Sequence, residues 1–137
     1  MEKTLILYPA IGMMILTLFV YVKNYLNFVK AKKSNAIKFS YFKTYQGEVP
    51  DYVNVSRQTL KNQFELPIFF YFLISIILVF DKVSQLDLIL AWIFVASRYL
   101  HCYIRLSSNH VPHRAKVFKL GMLALIVWWI IFLYNIL

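Results

Sequence analysis

Apolar residues along this chain gather into long unbroken runs instead of recurring at every third or fourth position. A helix needs about 20 apolar residues to cross a hydrocarbon layer roughly 30 Å thick. Four runs meet that length. The first covers 5–29. The second covers 55–80, with its most apolar part at 66–80; the third covers 86–106 and the fourth 115–137. Between the first two lies a basic segment, 30–54, too polar to span and broken by Gly47 and Pro50. Asp81 to Gln85 form a short polar turn, and Ser107, Ser108, Asn109 and Pro112 separate the last two runs. The pattern predicts an all-α fold: one domain over 1–137, an integral membrane bundle of four helices.

Composition supports this frame. Of 137 residues, 61% are hydrophobic and 15% charged, far from the balance of a soluble domain. A signal peptide is the alternative for the first run, but the run exceeds the roughly 7–15 residues of a signal core and no small-x-small cleavage site follows it. Cys102 is the one cysteine, so it forms no internal disulfide and reads as packing.

Charge orients the bundle. Four spans place both termini and the Asp81–Gln85 turn at one end. Lys30, Lys32, Lys33, Lys38, Lys43, Arg57 and Lys61 flank the first long connection, and Arg105, Arg114, Lys116 and Lys119 the second, against Lys3 and Lys82 opposite. The positive-inside bias makes the two basic connections cytoplasmic and the termini extracytoplasmic. The net charge of +9 is thereby explained without nucleic acid, and anionic lipid headgroups are natural partners.

Ionisable residues inside spans are costly and are functional candidates by default. Gln58, Asn62 and Glu65 stand at i, i+4 and i+7 on the second helix; Arg98, His101 and Arg105 stand at i, i+3 and i+7 on the third. Counted from the basic ends, Glu65 and Arg98 reach similar depth, roughly 10–12 Å in. The expectation is a Glu65–Arg98 ion pair. Arg57, Lys61, Arg105 and Arg114 would then lack acidic partners, and that surplus asks for an anionic ligand bearing carboxylate or phosphate. His101 reads first as a hydrogen-bonding partner and second as a general base. The spacing of His101, His110 and His113 matches no metal motif, so no metal is expected. Pro67 deprives the carbonyl of residue 63 of its donor and predicts a kink.

The run Arg57-x4-Asn62-x2-Glu65-x-Pro67 resembles the second-helix signature of the membrane-associated proteins in eicosanoid and glutathione metabolism (MAPEG). Arg98-x2-His101, followed by Pro112-x-Arg114, is similar to the microsomal prostaglandin E synthase and glutathione transferase branch, and Lys30-x-Lys32-Lys33 to the family's basic end of helix one. The resemblance implies a homotrimer with glutathione in a cleft between subunits, open to the cytosol. Asn62, Glu65, Arg98 and His101 would contact or frame the tripeptide, with Lys30 at the mouth and Arg105 on the same face. Arg114 would be the catalytic group, stabilising the thiolate. The implied function is a glutathione transferase or peroxidase acting on hydrophobic electrophiles from the bilayer. The rival is a non-catalytic member that binds lipid or scaffolds a partner, and a third class is a small transporter or channel subunit. Two positions depart from the family: Arg105 stands where a Tyr is common, and Ala115 stands where the prostaglandin synthase branch carries a hydroxyl. The second departure argues against prostaglandin synthesis.

Overall fold

The structure, a computed structural model, describes residues 3–137; Glu2, one of the charges before the first run, lies outside them. A single 3-10 turn, Lys3–Ile6, leads into α1 (Leu7–Lys33). The remaining helices are α2 (Tyr41–Thr44), α3 (Asp51–Asn62), α4 (Pro67–Val79), α5 (Gln85–Leu106) and α6 (Val111–Ile136). Four stretches are long and apolar enough to cross a membrane: Lys3–Lys33, Asp51–Val79, Gln85–Leu106 and Val111–Ile136.

The four expected helices are present, with three differences. The first continues to Lys33 because nothing in the basic stretch breaks it before Ser34. The fourth starts at Val111 with Pro112 in its first turn, where the missing N–H of proline has no partner to lose. The second is two helices. Residues 63–66 form a turn closed by Gln63 N–H to Leu60 O at 3.0 Å and Phe64 N–H to Lys61 O at 3.0 Å, and α4 restarts at Pro67. Proline cannot donate to residue 63 and its ring crowds the preceding turn, so the kink read from the sequence is a full interruption.

Both termini meet the α4–α5 turn at one end. Lys3 forms an ion pair with Asp81, and Lys82 Nζ donates to Asn135 O at 2.9 Å. Near this end Ser84 and Asp87 form a reciprocal capping box that starts α5. Asp87 is buried and its second oxygen accepts from Trp128 Nε1 at 2.6 Å, tying α5 to α6.

The core sits where all four spans meet. Phe70 of α4 stacks on Phe94 of α5 with centroids 4.7 Å apart, and Trp128 meets Phe70 edge-on at 6.0 Å. Helices α5 and α6 approach closely at Gly121, where an added Cβ would collide with the Ser97 side chain. A second, smaller core forms at the basic end. Ala31, Ile37, Tyr41 and Val53 are buried together with Phe28 and Phe42 packed on them. It is held by α1 and α3: Ser56 Oγ donates to Asn24 Oδ1 at 3.1 Å, and Asn27 Nδ2 to Tyr52 O at 3.2 Å.

Candidate functional site

The interruption at 63–66 shapes the site. An unbroken helix would commit the Asn62 carbonyl to the N–H four residues on. Instead it accepts from Arg98 Nη2 of α5 at 3.1 Å. The side chains above it continue the link. Arg105 Nη2 donates to Gln58 Oε1 at 2.7 Å. With the Asn62 amide oriented to satisfy its neighbours, its oxygen accepts from Arg105 Nη1 at 2.8 Å and its nitrogen donates to Glu65 Oε2 at 2.8 Å. The two faces read from the sequence therefore meet: Gln58, Asn62 and Glu65 on one side, Arg98 and Arg105 on the other.

This network walls a cleft of about 710 Å³ between α1, α3 and the end of α5. Asn62, Glu65 and Arg105 line it, with Gln58, Lys61, Arg57 and, from α1, Tyr21 and Asn24. Arg98 and His101 lie behind that wall, buried against α6: the Arg98 guanidinium sits 5.5 Å from the Phe118 ring centre and the His101 ring 5.6 Å from it. Lys30 stands away from the walls, exposed, with Nζ 5.0 Å over the Tyr52 ring. Arg114, half-buried in the first turn of α6, donates to Asn109 Oδ1 and is not part of the wall.

The expected Glu65–Arg98 ion pair is not formed. Glu65 projects from the turn outward, its side chain 53% exposed, and its cation is Lys61 at 3.8 Å; Arg98 is only 1% exposed. The helix break separates them, because a carboxylate on an open turn no longer follows the face that continues from Asn62. Lys61 consequently leaves the set of unpaired cations, and the surplus is carried by guanidinium groups. Arg57 donates to Tyr41 Oη at 3.1 Å and Tyr45 O at 3.0 Å, Arg98 to Asn62 O, Arg105 to Gln58 and Asn62, and Arg114 to Asn109. Every one of these acceptors is neutral. Buried Nε and Nη1 of Arg98, Nε of Arg105, Nδ1 of His101 and Oε1 of Gln63 have no partner, an arrangement that costs free energy unless something else supplies the bonds. Among the described residues, no group of His, Cys, Asp and Glu is placed to hold a metal ion.

Two contributors, Tyr45 and Gln63, were not singled out in the sequence, and the role of a third, Arg57, was not legible there. Arg57 anchors the loop after α1 by reaching two residues of it, and its guanidinium lies 5.4 Å from the Tyr45 ring centre; no spacing rule links residues so far apart in the chain. Tyr45 is a cleft residue held in a left-handed conformation, φ 56°. Gln63 is buried at 2% exposure, with Nε2 3.8 Å from Cys102 Sγ; its place next to Asn62 in the polar run was the available signal.

Fold and site together define a polytopic membrane protein of four spans with an arginine-rich polar cleft at its basic end. The MAPEG family model matches residues 6–134, nearly the whole chain, and the chain belongs to that family, whose members include glutathione transferases and related proteins that commonly use glutathione. No curated protein and no solved structure matches it.

Proposed function

We propose that this protein binds glutathione at the arginine-rich cleft and acts as a glutathione transferase or peroxidase on hydrophobic electrophiles that reach it from the bilayer. The observation that carries this reading is the set of four guanidinium groups bonded to neutral oxygens alone. Glutathione brings two carboxylates, an ammonium and a thiol. Its carboxylates would take charge-assisted bonds from Arg57 and Arg105 on the cleft wall, Arg98 would frame the site from behind by holding the Asn62 turn, and Glu65, exposed and acceptor-only, suits the ammonium. His101 Nδ1 and Gln63 Oε1 add uncommitted polar atoms behind the wall.

Arg114 is the proposed thiolate-stabilising group, since a nearby cation lowers a thiol's pKa and raises the fraction of nucleophile. Within one chain Arg114 and Lys30 stand outside the cleft. The reading therefore has a neighbouring copy in a homotrimer bring these residues to the site, with the basic connections in the cytosol. Calorimetry in detergent tests the reading: saturable glutathione binding is expected, and its absence at millimolar ligand overturns it. Arg114→Ala should abolish the thiolate's ultraviolet absorbance in the complex while leaving assembly intact; persistence of that absorbance would remove Arg114 from the role.

A further inference from the structure

The polar cleft does not end at its polar wall. Tyr21 and Phe64 line it on the membrane side, and the same two residues line a second hollow of about 300 Å³ running down the face between α1 and α4. Their rings meet edge-on, 6.1 Å apart, at the junction. Below them the groove is walled by Met14, Leu18, Ile68 and Tyr71, with Thr17, whose hydroxyl is turned back to Met13 O at 3.1 Å. From Tyr21 to Met14 is about 10 Å of the α1 axis. A cationic chamber thus borders an apolar groove directed toward the bilayer interior, with Tyr21 and Phe64 shared between them.

Charge and chemistry select an occupant. At the chamber end, Arg105 and Lys61, which is exposed and held to Glu65 only by a loose 3.8 Å pair that a phosphate would displace, offer donors, and Glu65 is the one acid among the lining residues. A phosphate accepts from both at once. At the junction, Gln63 lines the groove, and its Oε1 is buried with no partner; it requires a donor, which a free hydroxyl one carbon skeleton away from the phosphate would supply. The groove below, about 10 Å long, is wide enough for the upper part of one acyl chain, the remainder of which would continue into the bilayer. We propose that this continuous chamber and groove bind a lysophospholipid with an anionic phosphate head: phosphate on Lys61 and Arg105, glycerol hydroxyl on Gln63, acyl chain between α1 and α4.

This site shares Arg105 and Gln63 with the glutathione reading but uses the groove, which that reading does not need. A chain that bound the lysolipid and not glutathione would overturn the earlier proposal and leave this one standing. The probe is oleoyl lysophosphatidic acid, titrated against the full-length chain in mild detergent and observed as a one-to-one adduct by native mass spectrometry. Lys61→Gln combined with Arg105→Gln is expected to weaken it at least ~10-fold, the factor carried by one charge-assisted hydrogen bond; Arg105→Lys, which keeps the charge and guards against misfolding, should stay within a few-fold. Leu18→Trp should block the lipid yet spare glycerol 3-phosphate. Lys23→Gln, on the separate α1–α5 groove, should change nothing. Equal binding of lysophosphatidylcholine or of two-chain phosphatidic acid, insensitivity to the Lys61 and Arg105 changes, or equal loss with Lys23→Gln would each overturn the proposal.

Discussion

Arg98 reaches from α5 to the main-chain carbonyl of Asn62 at 3.1 Å, while two more of its nitrogens stay buried and unpartnered. A neutral carbonyl is a poor return for a desolvated guanidinium. The bond contributes about 0.5–1.5 kcal/mol net, or somewhat more for a charged donor, whereas a buried charge without its counterion costs several kcal/mol.

Arg98→Met therefore separates binding from stability. The variant should melt in detergent at or above the parent's temperature, because an apolar side chain of similar length removes the unpaired charge. Its affinity for glutathione should drop about tenfold, because the Asn62 turn that carries the cleft wall loses its anchor on α5. A large fall in melting temperature would mean that Arg98 is structural.

Pro67→Ala restores an N–H at the start of α4. Helix is then expected to grow into 63–66 and draw the Asn62 carbonyl back into the ladder, taking it from Arg98. Circular dichroism should show a small gain in helix, and hydrogen exchange should show new protection at residues 66 and 67. Glutathione affinity should fall by about tenfold as the wall loses its register. Unchanged exchange would show that the turn is held by packing and not by the proline.

Gly121→Ala puts a methyl group into Ser97, whose Oγ is fixed on Phe94 O at 2.6 Å. Overpacking of this kind costs about 1–3 kcal/mol, so the denaturation midpoint should fall. Ser97→Ala in the same chain should recover part of the loss, since the hydroxyl is the nearer obstacle and the Ser97 Cβ, 3.2 Å away, remains. Additive losses would show that the two helices do not meet there.

Trp128→Phe keeps the ring in the core but removes the donor to Asp87. Ser84 still bonds the carboxylate from its own backbone, so the expected loss is about 1.5–3 kcal/mol, the range for a hydrogen bond to a charged group. A midpoint unchanged in thermal melts would place the strength of the α5–α6 contact in area alone.

What could be read in advance follows from the range of each interaction. The four spans and the end at which the termini gather depend on run length and charge, which are local quantities, and Lys3, Asp81, Lys82 and Asn135 confirm the arrangement of that end. The polar faces were likewise visible, since i, i+4 and i+7 positions share a side of any helix. The partner of Glu65 was not. Its assignment counted depth along a helix continuous through Glu65, and the helix instead stops at Asn62 and restarts at Pro67. Arg57 shows the complementary limit: its bonds to Tyr41 and Tyr45 depend on how the loop closes, which no periodicity encodes.

That loop has a kinetic meaning. Tyr45 borders the cleft and is held by Arg57 and by a handful of aromatic contacts at the edge of the chain's minor core, far less burial than the bundle enjoys. Segments with few buried contacts open locally at much lower free energy than the whole fold. Exchange of whatever occupies the cleft would then keep time with the loosening of this small aromatic knot, so residence time becomes a property of Tyr41, Phe42 and Tyr45, adjustable without altering any group that touches the ligand's charges.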